Sequence, residues 1–438
     1  MKKLVLTGIL FSVFINLSAQ ETVGGRVAKN AKDKTYGKVE QKGDEAVDKT
    51  LNKIEEGIGS IFKKKEKKKK ENSDKTNKNS NSSSEPMPSY DPEVTKTDEA
   101  GNTDYAAYKD FEFVPAEKII FFEDFADGSK SRWKAYDNER LNVRNYEGKN
   151  WLELNDGGTF FPIALKTLPN DFTLEFDVYT PNKETGTLSV RFIEKAQSGR
   201  LEDPNFDISS GLDLSPVSQI PKTGLAQYSV KSDGVVIKSK EGINFYSWQP
   251  ELDNNYARIS LKRTGNKLSA WVNKEKIMDN EEFFLSNKEY YLTFQHDIYF
   301  VDAFKMNFSN IRLATGNANP KSDITTKKKF VTQNIFFDVN SDVIRPNSYA
   351  ILKQIAESIQ SIEGNIKIVG HTDSDGKDTD NLILSQKRAE SVKRALVNEF
   401  GIDANKLSSE GKGESVPLNK NANASEKAQN RRVEFIKL

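Results

Sequence analysis

The sequence contains no cysteine and only two histidines, His296 and His371. Without cysteine we expect no disulfide, no thiolate metal site, no cysteine nucleophile and no lipid attached to an N-terminal cysteine. Two histidines are too few for a metal site built from several histidines. We therefore expect neither a metal nor any other cofactor.

An excess of charge of one sign is also missing. Lysine and arginine number 65 and aspartate and glutamate 64, for a net charge of +1. Because such a chain has no strong overall field, we expect no nucleic-acid partner. Its 438 residues exceed one ordinary domain, so two folded units joined by linkers are predicted.

Long apolar runs are scarce, and the clearest one occupies residues 4–17, directly after two lysines. Small residues, Ser18 and Ala19, follow it. This pattern predicts a secretory signal peptide over residues 1–20 and export across the inner membrane of a bacterium. An uncleaved anchor is the alternative, but the run is shorter than the ~20 residues that a membrane span needs.

Residues 21–62 are charged but carry an apolar stripe at helical spacing. The stripe consists of Val39, Ala46, Val47, Leu51, Ile54, Ile58 and Phe62. It predicts a helix that lies on a membrane surface or pairs with another helix. Gly43, Gly57 and Gly59 favour a marginal helix that frays instead, and both interpretations stay open.

Residues 63–117 begin with a run of lysines and continue with asparagine, serine and proline. A segment of this composition cannot bury enough apolar area to fold, so a disordered linker is predicted. The lysine run is either a solvated part of this linker or a contact for a polyanion such as lipid phosphate.

Residues 118–316 change to short alternating runs. Phe172, Leu174, Phe176 and Val178 alternate with polar residues, which is the period of a half-buried strand. Apolar positions on both sides of the turn 264–266 predict a β-hairpin. Many short strands predict an all-β sandwich. The flanks 121–125 and 308–313 resemble concanavalin/laminin-G-type sandwiches, which implies a lectin-like jelly roll.

Two alternatives for this region remain. An outer-membrane β-barrel needs eight or more strands of about ten residues, and the runs here are shorter. A glycoside hydrolase needs paired carboxylates, and Glu175 and Asp177 share one strand face, but the second glutamate of the known Glu-x-Asp pattern is missing. We interpret Glu175 and Asp177 as exposed strand carboxylates and expect no enzyme.

Residues 325–438 mix strand and helix patterns. Strands are predicted at 334–337, 366–370, 407–411 and 433–436, and the two main helices start after Pro346 and near Thr379. This alternation predicts an α/β domain with a mixed sheet and two main helices.

The polar residues of this domain converge on one edge of the predicted sheet. Asp373 follows the strand that ends at Gly370, while Asn381, Ser385 and Arg388 lie on one face of the next helix. Ligands usually bind at this edge of α/β sheets. An acid and an arginine at fixed spacing can hold a ligand that carries an amine and a carboxylate on one carbon.

The segment 336–434 carries a series of short motifs in a fixed order: Phe337–Asn340, Gly370–Asp373, Asn381 with Leu384–Ser385 and Arg388–Ala389, Gly411–Glu414, Pro417 and Asn430–Glu434. With these motifs the segment closely resembles the OmpA-like peptidoglycan-binding domain. It implies binding of diaminopimelate in the peptide stem of peptidoglycan. In that family an acid takes the ammonium and an arginine the carboxylate, which correspond to Asp373 and Arg388. Asn340, Thr372 and Asn381 match assisting positions.

The remaining motif residues have simpler interpretations. We expect His371 to bond the backbone, and Asn430, Arg431 and Arg432 to be structural or to rim the cleft. Together these observations predict a non-enzymatic protein of the periplasm or outer membrane of a Gram-negative bacterium. It is expected to anchor to peptidoglycan through residues 325–438 and to recognise a glycan or an envelope protein through its sandwich.

Overall fold

A computed structural model describes Thr97 and residues 103–146, 148–154, 157–182, 185–201, 209–216, 223–250, 255–297 and 305–438. These residues belong to one compact unit, Pro86–Leu438. The predicted signal peptide (1–20), the apolar stripe (21–62) and most of the predicted linker (63–117) lie outside the described residues.

We call residues 118–316 the two-sheet region, and its described residues form fifteen strands. They are β1 (Lys118–Glu123), β2 (Trp133–Ala135), β3 (Leu141–Tyr146), β4 (Lys149–Leu154), β5 (Gly158–Pro162), β6 (Asp171–Tyr179), β7 (Thr187–Glu194), β8 (Ser210–Ser215), β9 (Gly224–Ser232), β10 (Val235–Phe245), β11 (Tyr256–Thr264), β12 (Lys267–Val272), β13 (Glu275–Asn280), β14 (Tyr290–Asp297) and β15 (Met306–Thr315).

These strands form two antiparallel sheets. One has the order β13-β12-β11-β6-β15-β4-β3 with β1 paired to β15, and the other has the order β10-β9-β8-β7-β14-β5-β2. Apolar side chains from both sheets, such as Phe160, Phe176, Phe294 and Phe308, form one shared core. The predicted strand at β6 and the hairpin of β11 and β12 are confirmed. The jelly-roll order stays a prediction.

The polar face of β6 is not exposed to solvent. Thr173, Glu175 and Asp177 are at most 2% exposed. The interpretation of Glu175 and Asp177 as exposed strand carboxylates is therefore wrong. The alternation in β6 does form a strand, but other parts of the chain cover the polar face of the sheet, and a local sequence pattern does not reveal that cover.

The terminal region, as we call residues 320–438, contains α1 (Pro320–Thr326), β16 (Lys329–Thr332), α2 (Tyr349–Gln360), β17 (Ile366–Gly370), α3 (Asp378–Asn398), β18 (Leu407–Gly411), α4 (Ala424–Asn430) and β19 (Val433–Lys437). The sheet order is β16-β19-β17-β18, in which only β17 and β18 are parallel. The mixed sheet and the two main helices, α2 and α3, agree with the prediction. Within the ranges that the structure describes, no helix has the length and apolar character for crossing a membrane.

The strand predicted at 334–337 is wrong. Phe337 forms only an isolated bridge with Ile344, and the first strand of the sheet is β16, a few residues earlier. The side chain of Asn334 explains the difference, because it donates to the Pro115 carbonyl and accepts from Arg312. These buried contacts direct the segment toward the two-sheet region and away from the terminal sheet.

Residues 103–117, the end of the predicted linker, are ordered. Tyr105, Tyr108, Phe111 and Phe113 are buried in the core of the terminal region, which Trp271 of the two-sheet region also joins. The prediction of disorder is wrong for this part, because four aromatic side chains within nine residues supply the apolar area that the preceding lysine-rich sequence lacks.

Candidate functional site

Two glycines allow α3 to lie unusually close to the terminal sheet. A Cβ atom at Gly370 would lie 2.3 Å from the Ser385 carbonyl oxygen, and one at Gly411 would lie 2.4 Å from the Gln386 nitrogen. The Ser385 hydroxyl accepts from the Gly413 nitrogen at 2.8 Å and so fixes this approach. The first turns of α3 are thereby held against the loops that leave β17 and β18.

Asp373 lies in the loop after β17 and is 7% exposed. Its Oδ1 accepts from the Asp375 backbone nitrogen at 3.1 Å, and its Oδ2 accepts from Arg431 Nη1 at 2.5 Å. The carboxylate is therefore fixed in place, with one oxygen already paired to a cation.

Arg388 lies on the face of α3 that lines the same cleft. Its Nε donates to the Ser341 carbonyl at 3.0 Å, and its guanidinium lies 4.9 Å from the centre of the Phe337 ring. Neither terminal nitrogen has a hydrogen-bond partner among the residues that the structure describes. Burial and the nearby Arg431 lower the pKa of Arg388 to about 10, while Asp373 acts in the opposite direction. The side chain remains a cation at neutral pH.

Asn381 organises the loop that holds Asp373. Its side-chain nitrogen donates to Glu414 Oε2 at 2.6 Å and to the carbonyls of Asp375 and Asp373 at 3.0 and 3.3 Å. The Thr372 backbone nitrogen donates to the Gly413 carbonyl at 3.0 Å. Both residues are buried beside the cleft and position the carboxylate.

Asn340 lines the cleft from a different loop, next to Arg388. Its φ angle of 52° lies in the left-handed region, which asparagine adopts more readily than most residues. An ion pair of 3.0 Å between Asp338 and Arg345 closes this loop. The structure thus brings all five predicted residues to one cleft, with Asn340 on the exposed side.

The run 430–432 separates into different roles. Asn430 bonds the 418–421 loop and Arg432 pairs with Glu434, so both are structural. Arg431 instead reaches Asp373. Its place follows from the register of β19 against β17, in which Val433 faces Gly370, and this non-local pairing is not visible in the sequence.

The expected bond from the His371 side chain to the backbone is not found, because neither imidazole nitrogen has a hydrogen-bond partner among the described residues. The His371 backbone nitrogen donates to the Arg432 carbonyl at 3.0 Å. The imidazole is buried with Nε2 3.5 Å from Glu434 Oε1. These contacts link β17 to β19 beneath the site.

The cleft has a volume of about 910 Å³ and lies between the terminal region and the two-sheet region. Asp373, Arg388 and Arg431 line one side of it, and Phe122, Lys149 and Arg258 line the other.

Glu175, which lines the opposite side of the cleft, and Asp177 on the same strand are both paired with cations. Glu175 accepts from Arg258 and Arg312, both at 3.0 Å, and Asp177 accepts from Arg258 at 2.6 Å and from Lys149 at 3.1 Å. Burial raises the pKa of Asp177, but Lys149 and Arg258 outweigh it and lower that pKa to about 2. A general acid needs the opposite shift, so Asp177 does not have the raised pKa of a general acid.

Comparisons with known proteins identify the terminal region. The profile of the OmpA family matches residues 336–431. Outer membrane porin F of Pseudomonas aeruginosa is 40% identical over 105 residues, which are 24% of this chain and 30% of that protein. Outer membrane protein A of Bordetella avium is 42% identical over 101 residues, 23% of this chain and 52% of that protein. The chain thus covers less than two thirds of either relative.

Among solved structures, the peptidoglycan-associated lipoprotein from Burkholderia pseudomallei is 30% identical to this chain, and the match covers 27% of this chain and 100% of the lipoprotein chain. Its TM-score of 0.24 is too low for an inference about fold. The matched sequence carries the motifs that surround Asp373 and Arg388, and residues 336–431 of this chain are an OmpA family domain.

Proposed function

We propose that this protein anchors non-covalently to peptidoglycan by binding diaminopimelate, and that it has no catalytic activity. The observation that carries the proposal is the placement of a buried carboxylate, Asp373, and a guanidinium with two available nitrogens, Arg388, in one cleft of an OmpA family domain. Its relatives include outer-membrane proteins, so we assign the chain to the envelope of a Gram-negative bacterium.

The ligand's amino acid group matches the charges of the site. Its ammonium pairs with Asp373, and its carboxylate accepts hydrogen bonds from the terminal nitrogens of Arg388. Arg431 already donates to Asp373 Oδ2, so an ammonium that binds this oxygen replaces the guanidinium of Arg431 there. The net gain is therefore modest, and we expect micromolar to millimolar affinity for a single stem.

Weak single contacts suit attachment to a polymer. Peptidoglycan repeats its peptide stems, so rebinding and several protein copies raise the overall strength of attachment without a tighter single site. For the two-sheet region we propose recognition rather than catalysis, with a glycan or an envelope protein as partner. The engaged state of Glu175 and Asp177 supports this choice over a glycoside hydrolase.

The chemistry of the ligand provides the test. Diaminopimelate differs from lysine by one carboxylate, which is the group assigned to Arg388. We expect the protein to sediment with insoluble peptidoglycan that contains diaminopimelate and to stay in the supernatant with peptidoglycan that contains lysine. Equal sedimentation with both polymers, or with neither, contradicts the proposal.

A further inference from the structure

The diaminopimelate site does not lie on an open surface of the terminal region. The Phe122 backbone nitrogen of β1 donates to Ser425 Oγ of α4 at 2.8 Å, and Gln429 of the same helix donates to the Ile119 carbonyl at 3.0 Å. At a second place, Arg312 of β15 donates to Asn334 Oδ1 at 2.8 Å. These bonds join the two regions and leave the cleft between them.

An aromatic side chain of the two-sheet region stands beside the cation that holds Asp373. The Arg431 guanidinium lies 5.5 Å from the centre of the Phe122 ring, and the Phe122 side chain is half-buried and lines the cleft. A ligand held by Asp373 therefore has an apolar surface available next to it.

Two cations of the two-sheet region, Lys149 and Arg258, also line the cleft. Lys149 lies at the start of β4 with a side chain that is 21% exposed, and Arg258 lies 5.9 Å from the centre of the Phe336 ring. Burial, Arg345 and Arg258 lower the pKa of Lys149 to about 7, while Asp177 acts in the opposite direction. The groups that line the whole cleft include more lysine and arginine side chains than carboxylates.

The size of the cleft indicates a ligand larger than one amino acid. Its volume of about 910 Å³ is near the upper end of the roughly 300–1,000 Å³ that pockets for small organic ligands have. The amino acid group of diaminopimelate occupies only the end at Asp373 and Arg388. The rest of a peptide stem carries further carboxylates and methyl groups, which match a cationic side chain and an aromatic one.

We propose that the two-sheet region completes the peptidoglycan site, with Lys149 binding a second carboxylate of the peptide stem and Phe122 packing against the stem next to diaminopimelate. This inference rests on the proposed function. The ligand class is an anionic peptide that contains diaminopimelate. The site is accordingly shared by the two regions, and the free amino acid uses only half of it.

Calorimetric titration of the full chain with free diaminopimelate and with a tetrapeptide stem that contains it tests this proposal. We expect the wild-type chain to bind the tetrapeptide about tenfold more tightly than the free amino acid, which is the effect of one additional charge-assisted contact. Lys149→Met should remove most of that advantage. Because Phe122 lies beside Arg431, Phe122→Ala should weaken both ligands but lower the tetrapeptide affinity more than the affinity for free diaminopimelate.

Matched controls separate the cleft from the rest of the region. Ile120→Ala changes an exposed residue of the same strand as Phe122, and Lys305→Met changes a lysine that pairs with buried Glu153 outside the cleft. Both controls should keep the tetrapeptide advantage. Lys149 also pairs with Asp177, so Lys149→Met tests ligand binding only if its thermal unfolding matches that of wild type. If it unfolds at a lower temperature, the result for Phe122→Ala decides between the outcomes.

Each outcome has one meaning. Equal wild-type affinity for both ligands, or an equal loss of affinity for both in Phe122→Ala, overturns the shared site. Neither result contradicts the proposal that the wild-type chain binds diaminopimelate. A wild-type chain that binds neither ligand contradicts the proposed function, and the shared site falls with it.

Discussion

At the scale of single residues, burial changes the chemistry of acids that the sequence presents as ordinary surface groups. Glu117 is one example, at the junction of the two regions. Burial raises its pKa to about 7, although Arg312, Thr332 and Asn334 act in the opposite direction. Its Oε1 accepts from Thr332 Oγ1 at 3.0 Å, while Oε2 is buried without a partner among the described residues. The folded protein therefore favours the neutral acid.

This shift predicts a pH-dependent loss of stability. An unfolded glutamate ionises near 4.5, so the wild-type chain loses stability as pH rises from about 4.5 through about 7. The loss is on the order of 3 kcal/mol at most. Glu117→Gln keeps a neutral side chain and should escape it. In urea unfolding we expect the variant to have a higher free energy of unfolding than wild type at pH 8 but not at pH 4.5. The same difference in free energy at both pH values would refute this account.

At the scale of elements, the site depends on how closely α3 approaches the terminal sheet. Gly370 and Gly411 permit that approach, and it fixes Asn381 and Arg388 relative to Asp373. The motif 370–373 therefore combines a packing requirement at Gly370 with Asp373, the residue that we propose binds the ligand's ammonium. This is why the position of Asp373 and Arg388 could be predicted from local sequence: the glycine, the acid and the helix face all lie within twenty residues.

Gly370→Ala should displace α3, because the added methyl group would meet the Ser385 backbone, which cannot rotate away. We expect a loss of about 1–3 kcal/mol in unfolding free energy together with weaker peptidoglycan binding. Gly199→Ala is the matched control, since nothing lies within 4 Å of its added atom. Unfolding and sedimentation like wild type in Gly370→Ala would show that the close approach is not required.

At the scale of the whole molecule, contacts between segments far apart in the sequence determine which faces are covered and which side chains meet in the cleft. The alternation in β6 correctly predicted a strand, but Thr173 bonds the Ala116 nitrogen and Glu175 pairs with Arg312, so the polar face is covered. Arg431 reaches Asp373 only through the pairing of β19 with β17. Local patterns predict elements, whereas these contacts depend on residues tens to hundreds of positions apart.

The same non-local packing explains the ordered segment 103–117. Its aromatic residues fill the core of the terminal region, and Trp271 contacts Phe113 with ring centres 5.1 Å apart. The two regions are therefore connected through a shared apolar contact as well as through hydrogen bonds. A ligand in the cleft meets side chains from both.

Sedimentation of the full chain with diaminopimelate-type peptidoglycan, for wild type, Asp373→Ala and Arg388→Ala, tests the central claim most directly. Each substitution leaves one charge of the bound ligand without its partner, which costs about 2–5 kcal/mol when the pair is buried. Lys387→Ala, an exposed neighbour on α3, serves as the control. We expect wild type and control to sediment and both site variants to remain in solution while still unfolding cooperatively. Sedimentation of both site variants at the wild-type level would contradict the account.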